Sequence, residues 1–413
     1  MKEIDGPGSW EIAESMERAI PWGSSTCSKK PRLFPEEPGV IVRGCGCRVW
    51  DADGREFIDF RNGLGPVTLG YAFPEVDAAV RAQMETGVVF GHPHPLEGEV
   101  AEMLIERIPG AEQARFLKTG GEALAACIRI ARCVTGRDRV VQIGYNGWLN
   151  ALAAGGVTLP GRDGGGVGSP PPGVPAALSA LHHACPWNDL ETLDAYFAAY
   201  PGEIAAVVVA ADYATMAAGA TFYPALRERT ERAGALLVLD EIVTGFRIAV
   251  GGVQERFGVV PDLSVFSKGI ANGLPLSAYV GRRDVMGALD RAIVSSTFGG
   301  ETLSLAAARA VMRVYAERDV VAHLWRQGET LWGNLNRSFR AHGVNAEVRG
   351  FWPCPALTFD GPDRAAVRER FLRAAYRNGV SLYDVSYVNF SHDDAAIAEA
   401  SARLDAACRD AAA

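Results

Sequence analysis

The sequence predicts an α/β protein: a large domain on a mostly parallel sheet wrapped by helices, and a smaller α+β domain. Three features carry that prediction. Helical and β patterns alternate from Gly70 to about residue 300. Within that span, Ile204–Val209 and Ala235–Leu239 are apolar at every residue, which suits strands covered on both faces. After residue 301 the alternation gives way to a long helical pattern and an isolated strand pattern.

In chain order, residues 1–66 read as an N-terminal arm and part of the smaller domain. Val40–Gly44 and Arg48–Phe60 read as short strands around the Asp53-Gly54 turn. Residues 67–300 hold the large domain. Its low-complexity break, from Gly161 through Pro172, fits no regular period and reads as a mobile surface loop. Residues 301–413 form the C-terminal small domain, with a helix from Leu303 to Glu317, a strand at Ala356–Phe359 and a closing helix from Asp393 to Asp410.

Composition excludes several classes of function. The 413 residues are 48% hydrophobic and 22% charged, as in a soluble globular protein. No apolar run approaches the roughly 20 residues of a membrane span, and Met1–Asp5 lacks the apolar core of a signal peptide, so a cytoplasmic location is expected. A net charge of -8 with dispersed arginines argues against a nucleic-acid partner. Cys45-Gly46-Cys47 is too closely spaced for a zinc knuckle, the other six cysteines are scattered, and no histidine pair has helical ligand spacing. Free thiols and no metal site are expected.

Only five residues are lysine, against 36 arginines, and one of the five is Lys268 in Val265-Phe266-Ser267-Lys268-Gly269. It follows a strand pattern and precedes a glycine-rich turn. An amine, unlike a guanidinium, can condense with an aldehyde. Upstream, the apolar run Ala235–Leu239 ends on Asp240-Glu241. A carboxylate at such a strand end can keep a ring nitrogen protonated while the lysine holds an aldehyde carbon, which is the protein half of pyridoxal 5'-phosphate (PLP) chemistry. Taken singly, each segment also reads as an ordinary solvated turn or strand end. The conjunction is more specific: Asp240-Glu241, then Gly245-Phe246-Arg247, Pro261-Asp262, Ser267-Lys268-Gly269 and Gly273-Leu274-Pro275, without a gap.

This run, from Leu239 to Val280, resembles the class III aminotransferases, PLP enzymes of fold type I. The likeness covers nearly the whole chain. The resemblance implies PLP as cofactor, Lys268 as Schiff-base lysine and proton carrier, and Asp240 as partner of the ring nitrogen. Phe116–Ala123 resembles the segment whose glycine-rich turn and helix start receive the phosphate on backbone amides, here Thr119, Gly120 and Gly121. Tyr145, in Gly144-Tyr145-Asn146-Gly147-Trp148, takes the place of the aromatic that stacks on the ring, and Ile242 follows the acid pair beside the cofactor. Thr297, in Ser296–Thr302, resembles a residue that reaches the phosphate of a neighbouring subunit, which implies a homodimer with a shared site.

The departures bear on substrate. One of the two hydroxyls usual at the phosphate turn is lost at Gly121, and Asn146 stands where the family has histidine. Ala210-Ala211-Asp212 stands where Glu-Pro is usual. Within the family the chain looks most like glutamate-1-semialdehyde aminomutase and its sugar-directed relatives. The wording at Ser28–Phe34 and Thr297–Leu303 leans to the latter, and the arginine and alanine bias suggests a GC-rich, actinomycete-like genome. The expected activity is transfer of an amino group from a small-molecule donor to an aldehyde or ketone on an amino sugar or aminoglycoside, in antibiotic biosynthesis. An epimerase, a dehydratase or the aminomutase would use the same lysine and aspartate. A catalytically silent relative would be expected to lose Lys268 or Asp240. A dinucleotide-dependent oxidoreductase would need a G-x-G-x-x-G turn that the segment at Gly120 lacks.

Overall fold

The computed structural model describes residues 8–147 and 172–412, so the expected loop at 161–175 lies largely outside the described residues. The chain forms two compact units, Met1–Pro74 with Ala322–Ala413, and Glu75–Val321. These boundaries compare with the 66/67 and 300/301 expected from sequence. The helix Thr302–Glu317 lies within the second unit: its Thr302 hydroxyl donates to the carbonyls of Gly87 and Val88, and the Tyr315 hydroxyl donates to the Phe246 carbonyl.

In the first unit, strands β1 (Ile41–Cys45), β2 (Arg48–Asp51) and β3 (Glu56–Asp59) form an antiparallel meander. The run Arg48–Phe60 is a hairpin, β2 and β3, about the Asp53-Gly54 turn expected from the sequence. Asp51 makes its turn by accepting from the N–H groups of Asp53 (3.0 Å) and Arg55 (2.8 Å), which breaks the ladder at Ala52–Arg55.

The second unit is built on a seven-stranded sheet. Its strands are β4 (Gln113–Leu117), β5 (Arg139–Ile143), β6 (His182–Cys185), β7 (Ile204–Ala210), β8 (Leu236–Asp240), β9 (Leu263–Phe266) and β10 (Ser277–Gly281), in the order β4-β10-β9-β8-β7-β5-β6. Strand β10 is antiparallel to both its neighbours and the remaining pairings are parallel, so every strand except β10 points its carboxyl end to the same edge. Strand β7 is buried at all seven residues and β8 at all but its first, as strands covered on both faces must be. The helix Gly120–Thr135 lies on one face, burying Leu124, Ile128 and Ala131 among Val208, Val238 and Val265.

The chain then returns to the first unit. Strands β11 (Ala346–Arg349) and β12 (Ala356–Phe359) form a hairpin, and β13 (Val380–Ser381) pairs in parallel with β3. The helices Arg364–Arg377 and Asp394–Ala412 complete the unit. No described helix is long and apolar enough to cross a membrane.

Candidate active site

The residues singled out from the sequence converge on the carboxyl edge of the large sheet. In a parallel sheet that edge is where loops and helix starts gather, because each strand there hands over to its crossover.

At the end of β4, Thr119 caps the helix Gly120–Thr135. Its hydroxyl accepts from the Glu122 N–H (3.3 Å), and the Glu122 carboxylate accepts from the Thr119 N–H (2.7 Å), a reciprocal capping box. The Thr119 carbonyl accepts from the Ser277 hydroxyl (2.9 Å), which ties the turn to β10. Gly120 and Gly121 follow, and their amides, first in the helix, have no intrahelical acceptor. A Cβ on Gly120 would stand 2.3 Å from the Ile242 Cδ1, so only glycine lets the turn pass this close to the end of β8.

Asp240 ends β8, beside Ala210 of β7 and Val265 of β9. It is buried. One carboxylate oxygen, Oδ1, accepts from the Ile242 N–H (3.0 Å), and Oδ2 accepts from the Asn146 side-chain amide (3.3 Å). Burial pushes the carboxyl up to about 6, against the opposing pull of those two donors and of the Lys268 charge. Asn146 reaches Asp240 because Gly144, with φ +74°, turns the chain sharply at the end of β5; a Cβ there would lie 2.9 Å from the Ala210 carbonyl. The same turn leaves Tyr145 half exposed while Asn146 is fully buried.

Lys268 follows β9 and has φ +47°, in the left-handed region that a residue with a Cβ avoids unless its surroundings impose it. The Ser267 hydroxyl, buried and donating to the Leu276 carbonyl (2.8 Å), anchors the preceding residue. Glu241, next to Asp240, points elsewhere. Its carboxylate accepts from the Thr244 hydroxyl and from the N–H groups of Val253 (2.9 Å) and Gln254 (3.1 Å). Burial lifts it to about 7, against those three donors. It is a structural cap.

Thr297 is exposed, in the segment 293–301 that precedes the helix Thr302–Glu317. The segment is held to the glycine turn of its own unit: Glu301 accepts from the Lys118 ammonium (2.8 Å), and a Cβ on Gly299 would meet the Phe116 carbonyl at 2.6 Å. After β7, Ala210 and Ala211 are buried, and Asp212 Oδ1 is occupied within its own turn by the N–H groups of Ala214 (3.0 Å) and Thr215 (2.8 Å) and the Thr215 hydroxyl (2.9 Å).

The family model for class-III aminotransferases matches residues 35–392. This chain is a class-III aminotransferase. Glutamate-1-semialdehyde 2,1-aminomutase of Thermomicrobium roseum is 36% identical over 358 residues, which are 84% of this chain and 81% of that protein. The FumI protein of Sphingopyxis, solved with PLP, superposes with a TM-score of 0.88 at 27% identity, covering 98% of this chain and 96% of its own. An omega-transaminase from Sphaerobacter thermophilus gives 0.85 at 26% identity, covering 99% and 98%. The class-III chain is therefore an enzyme of the aminotransferase type that uses PLP.

The residues present fit that cofactor. A glycine cradle at 120–121 opens two backbone amides toward a phosphate, a buried carboxylate lies at a strand end, and a lysine in forced backbone geometry is electrostatically coupled to it. Thr119, Gly120, Gly121, Tyr145, Asp240, Ile242 and Lys268 thus share one edge. Sequence reasoning missed two partnerships, Asn146 with Asp240 and Lys118 with Glu301. The oddity of Asn146 was visible, but its partner is 94 positions away.

Proposed function

We propose that the chain transfers an amino group from a small-molecule donor to an aldehyde or ketone acceptor, with Lys268 and Asp240 as catalytic residues and Tyr145 against the cofactor ring. The observation that carries this assignment is Lys268, held at positive φ after β9 and coupled in charge to the buried Asp240 at the end of β8. PLP, when bound, supplies an aldehyde carbon and an electron-accepting ring. Lys268 is the residue that would hold that aldehyde through Nζ and whose amine would carry the substrate's α-proton to and from carbon. Asp240 keeps a negative charge against the ring nitrogen. The amides of Gly120 and Gly121, with the Thr119 hydroxyl, would hold the phosphate, and Ile242 packs against the turn. Borohydride reduction of the purified protein followed by peptide mapping tests the lysine: the label belongs on Lys268, and a label on any other lysine overturns the assignment.

For the acceptor we infer an amino sugar or aminoglycoside carbonyl. Support comes from the segments Ser28–Phe34 and Thr297–Leu303, and from the absence of the usual glutamate after β7, since Asp212 is engaged in its own turn. The 36% identity to an aminomutase favours a second reading, isomerisation of glutamate-1-semialdehyde. A panel of amino donors with aminoglycoside aldehydes and with that semialdehyde separates the two. Turnover confined to the semialdehyde overturns the sugar reading.

A homodimer with a shared site is the expected active unit, Thr297 of one subunit serving the phosphate held by Gly120 and Gly121 of the other. Its exposure in this chain supports that role. Mixing inactive Lys268→Ala subunits with inactive Thr297→Trp subunits should restore part of the activity. An active monomer, or no complementation, sinks the shared-site model.

A further inference from the structure

Asn146 is fully buried and donates through Nδ2 to Oδ2 of Asp240, the carboxylate that ends a core strand. The other Asp240 oxygen already accepts from the Ile242 backbone. The backbone donor is part of the turn and changes with no side-chain substitution. The Asn146 amide is therefore the side-chain hydrogen bond that a substitution can remove, and it comes from the turn after β5.

We propose that Asn146 is a positioning residue for Asp240: its amide holds the carboxylate ionised and oriented toward the cofactor's ring nitrogen, through a donor that does not itself titrate. The inference rests on Asp240 as ring partner. A carboxamide keeps its two N–H donors at every pH, whereas an imidazole in the same place would change charge near neutrality and would alter the field on the carboxylate as it did so. The benefit of such a donor is largest where Asp240 sits, because a buried carboxylate has little water to stabilise its charge.

The groups facing Asp240 are Lys268 after β9, Glu241 beside it, Cys127 on the helix Gly120–Thr135 and Tyr223 on the helix Gly219–Ala233. Burial keeps Cys127 and Tyr223 protonated well above neutral pH, so neither supplies a competing charge. Glu241 titrates close to neutrality, but its oxygens bond to Thr244, Val253 and Gln254 and not to Asn146. A change at Asn146 consequently acts on Asp240 and leaves the Glu241 contacts in place.

The test reads cofactor retention and does not depend on turnover. Full-length holoenzyme is dialysed to equilibrium in buffers from about pH 5 to 9, and bound PLP is measured by its absorbance. In the unaltered protein retention falls on the acid side, as Asp240 takes up a proton and loses its attraction for the ring nitrogen. In Asn146→Leu the midpoint of that fall should move up by about one pH unit, the effect of losing one charged hydrogen bond, while retention at the alkaline end stays near that of the unaltered protein. Asn146→Asp keeps the size but puts a second carboxylate beside the first, so its midpoint should move further up. Asn146→His should restore retention through a ring N–H. An equal loss of PLP at every pH in Asn146→Leu, or an unmoved midpoint in Asn146→Asp, would mean that Asn146 is only packing and would overturn the proposal. Asp240→Asn separates the two claims: the acid-side fall should vanish in it. Its persistence would sink Asp240 as the ring partner rather than Asn146 as its support.

Discussion

Two buried aspartates at opposite edges of the same sheet carry the same side chain into different surroundings. Asp262, just before β9 at the amino edge, accepts from the Arg227 and Arg282 guanidinium groups, each at 2.7 Å, and from the Leu237 N–H at 2.7 Å. It joins the start of β8 to the residue after β10. Asp240, at the carboxyl edge, has no arginine: one backbone N–H, one neutral amide and the charge of a nearby lysine are what it has against burial. The difference teaches how to tell an anchor from a working group. An anchor's charge is neutralised within the fold. A working carboxylate is left short of positive charge, so that a bound cation can complete it; the proposed occupant at Asp240 is a protonated ring nitrogen.

Changes at each edge can break or sharpen that contrast. The largest effect is expected for Lys268→Ala, which should lower turnover by about ten-thousand-fold, as expected when a covalent link and a general base are lost together. Folding should be nearly unaffected, and steady-state kinetics with thermal melting check both. Asp240→Asn comes next: turnover should fall roughly 100-fold or more, with a melting temperature close to that of the unaltered protein, because the amide replaces the carboxylate at equal size. Full activity in this variant would mean that another group holds the ring nitrogen.

Asp262→Asn should do the reverse. It leaves Arg227 and Arg282 without their shared carboxylate and should cost about 2 kcal/mol of stability, a value reduced because both arginines are partly exposed. The protein that does fold should keep its cofactor spectrum and its turnover per bound PLP. Urea unfolding followed by spectroscopy on the folded fraction decides, and a lost spectrum would erase the distinction between the two edges.

The smallest effect concerns pH. Asp240 and Glu241 both have carboxyls raised by burial, to about 6 and about 7. A carboxyl that binds its proton more tightly folded than unfolded adds stability in full below the unfolded value of about 4, and that contribution is lost as pH rises through the folded value. The PLP-free protein should therefore lose stability as pH rises from about 4 to about 7, more than the holoenzyme does, since in the proposed site the cofactor's cation meets Asp240. Equal pH profiles with and without PLP would mean that Asp240 does not pair with the cofactor.

The features legible in the sequence were those that neighbouring residues settle among themselves. The unbroken apolar runs of β7 and β8 dictate strands covered on both faces, because no alternation leaves a side for water. Thr119 with Glu122 writes its own helix start, and the acid at a strand end, the glycine turn and the lysine after the next strand marked one kind of chemistry through type and spacing. The class of cofactor followed from these local signals. The Asp53-Gly54 turn in Arg48–Phe60 was legible too, but not that Asp51 closes it by accepting from the N–H groups of Asp53 and Arg55.

Tertiary structure decided how the two members of Asp240-Glu241 differ in their surroundings. Adjacent in sequence and alike in chemistry, they diverge because Thr244, Val253 and Gln254 close around one, while Asn146, Ile242 and Lys268 surround the other. It also decided that Asn146 meets Asp240 across 94 positions and that Lys118 meets Glu301 across 183. Those contacts depend on strand order and crossover packing, which no local pattern encodes. A charge's surroundings in a fold are assembled from distant segments, and the surroundings are what make one buried carboxylate an anchor, one a cap and one the proposed partner of a cofactor.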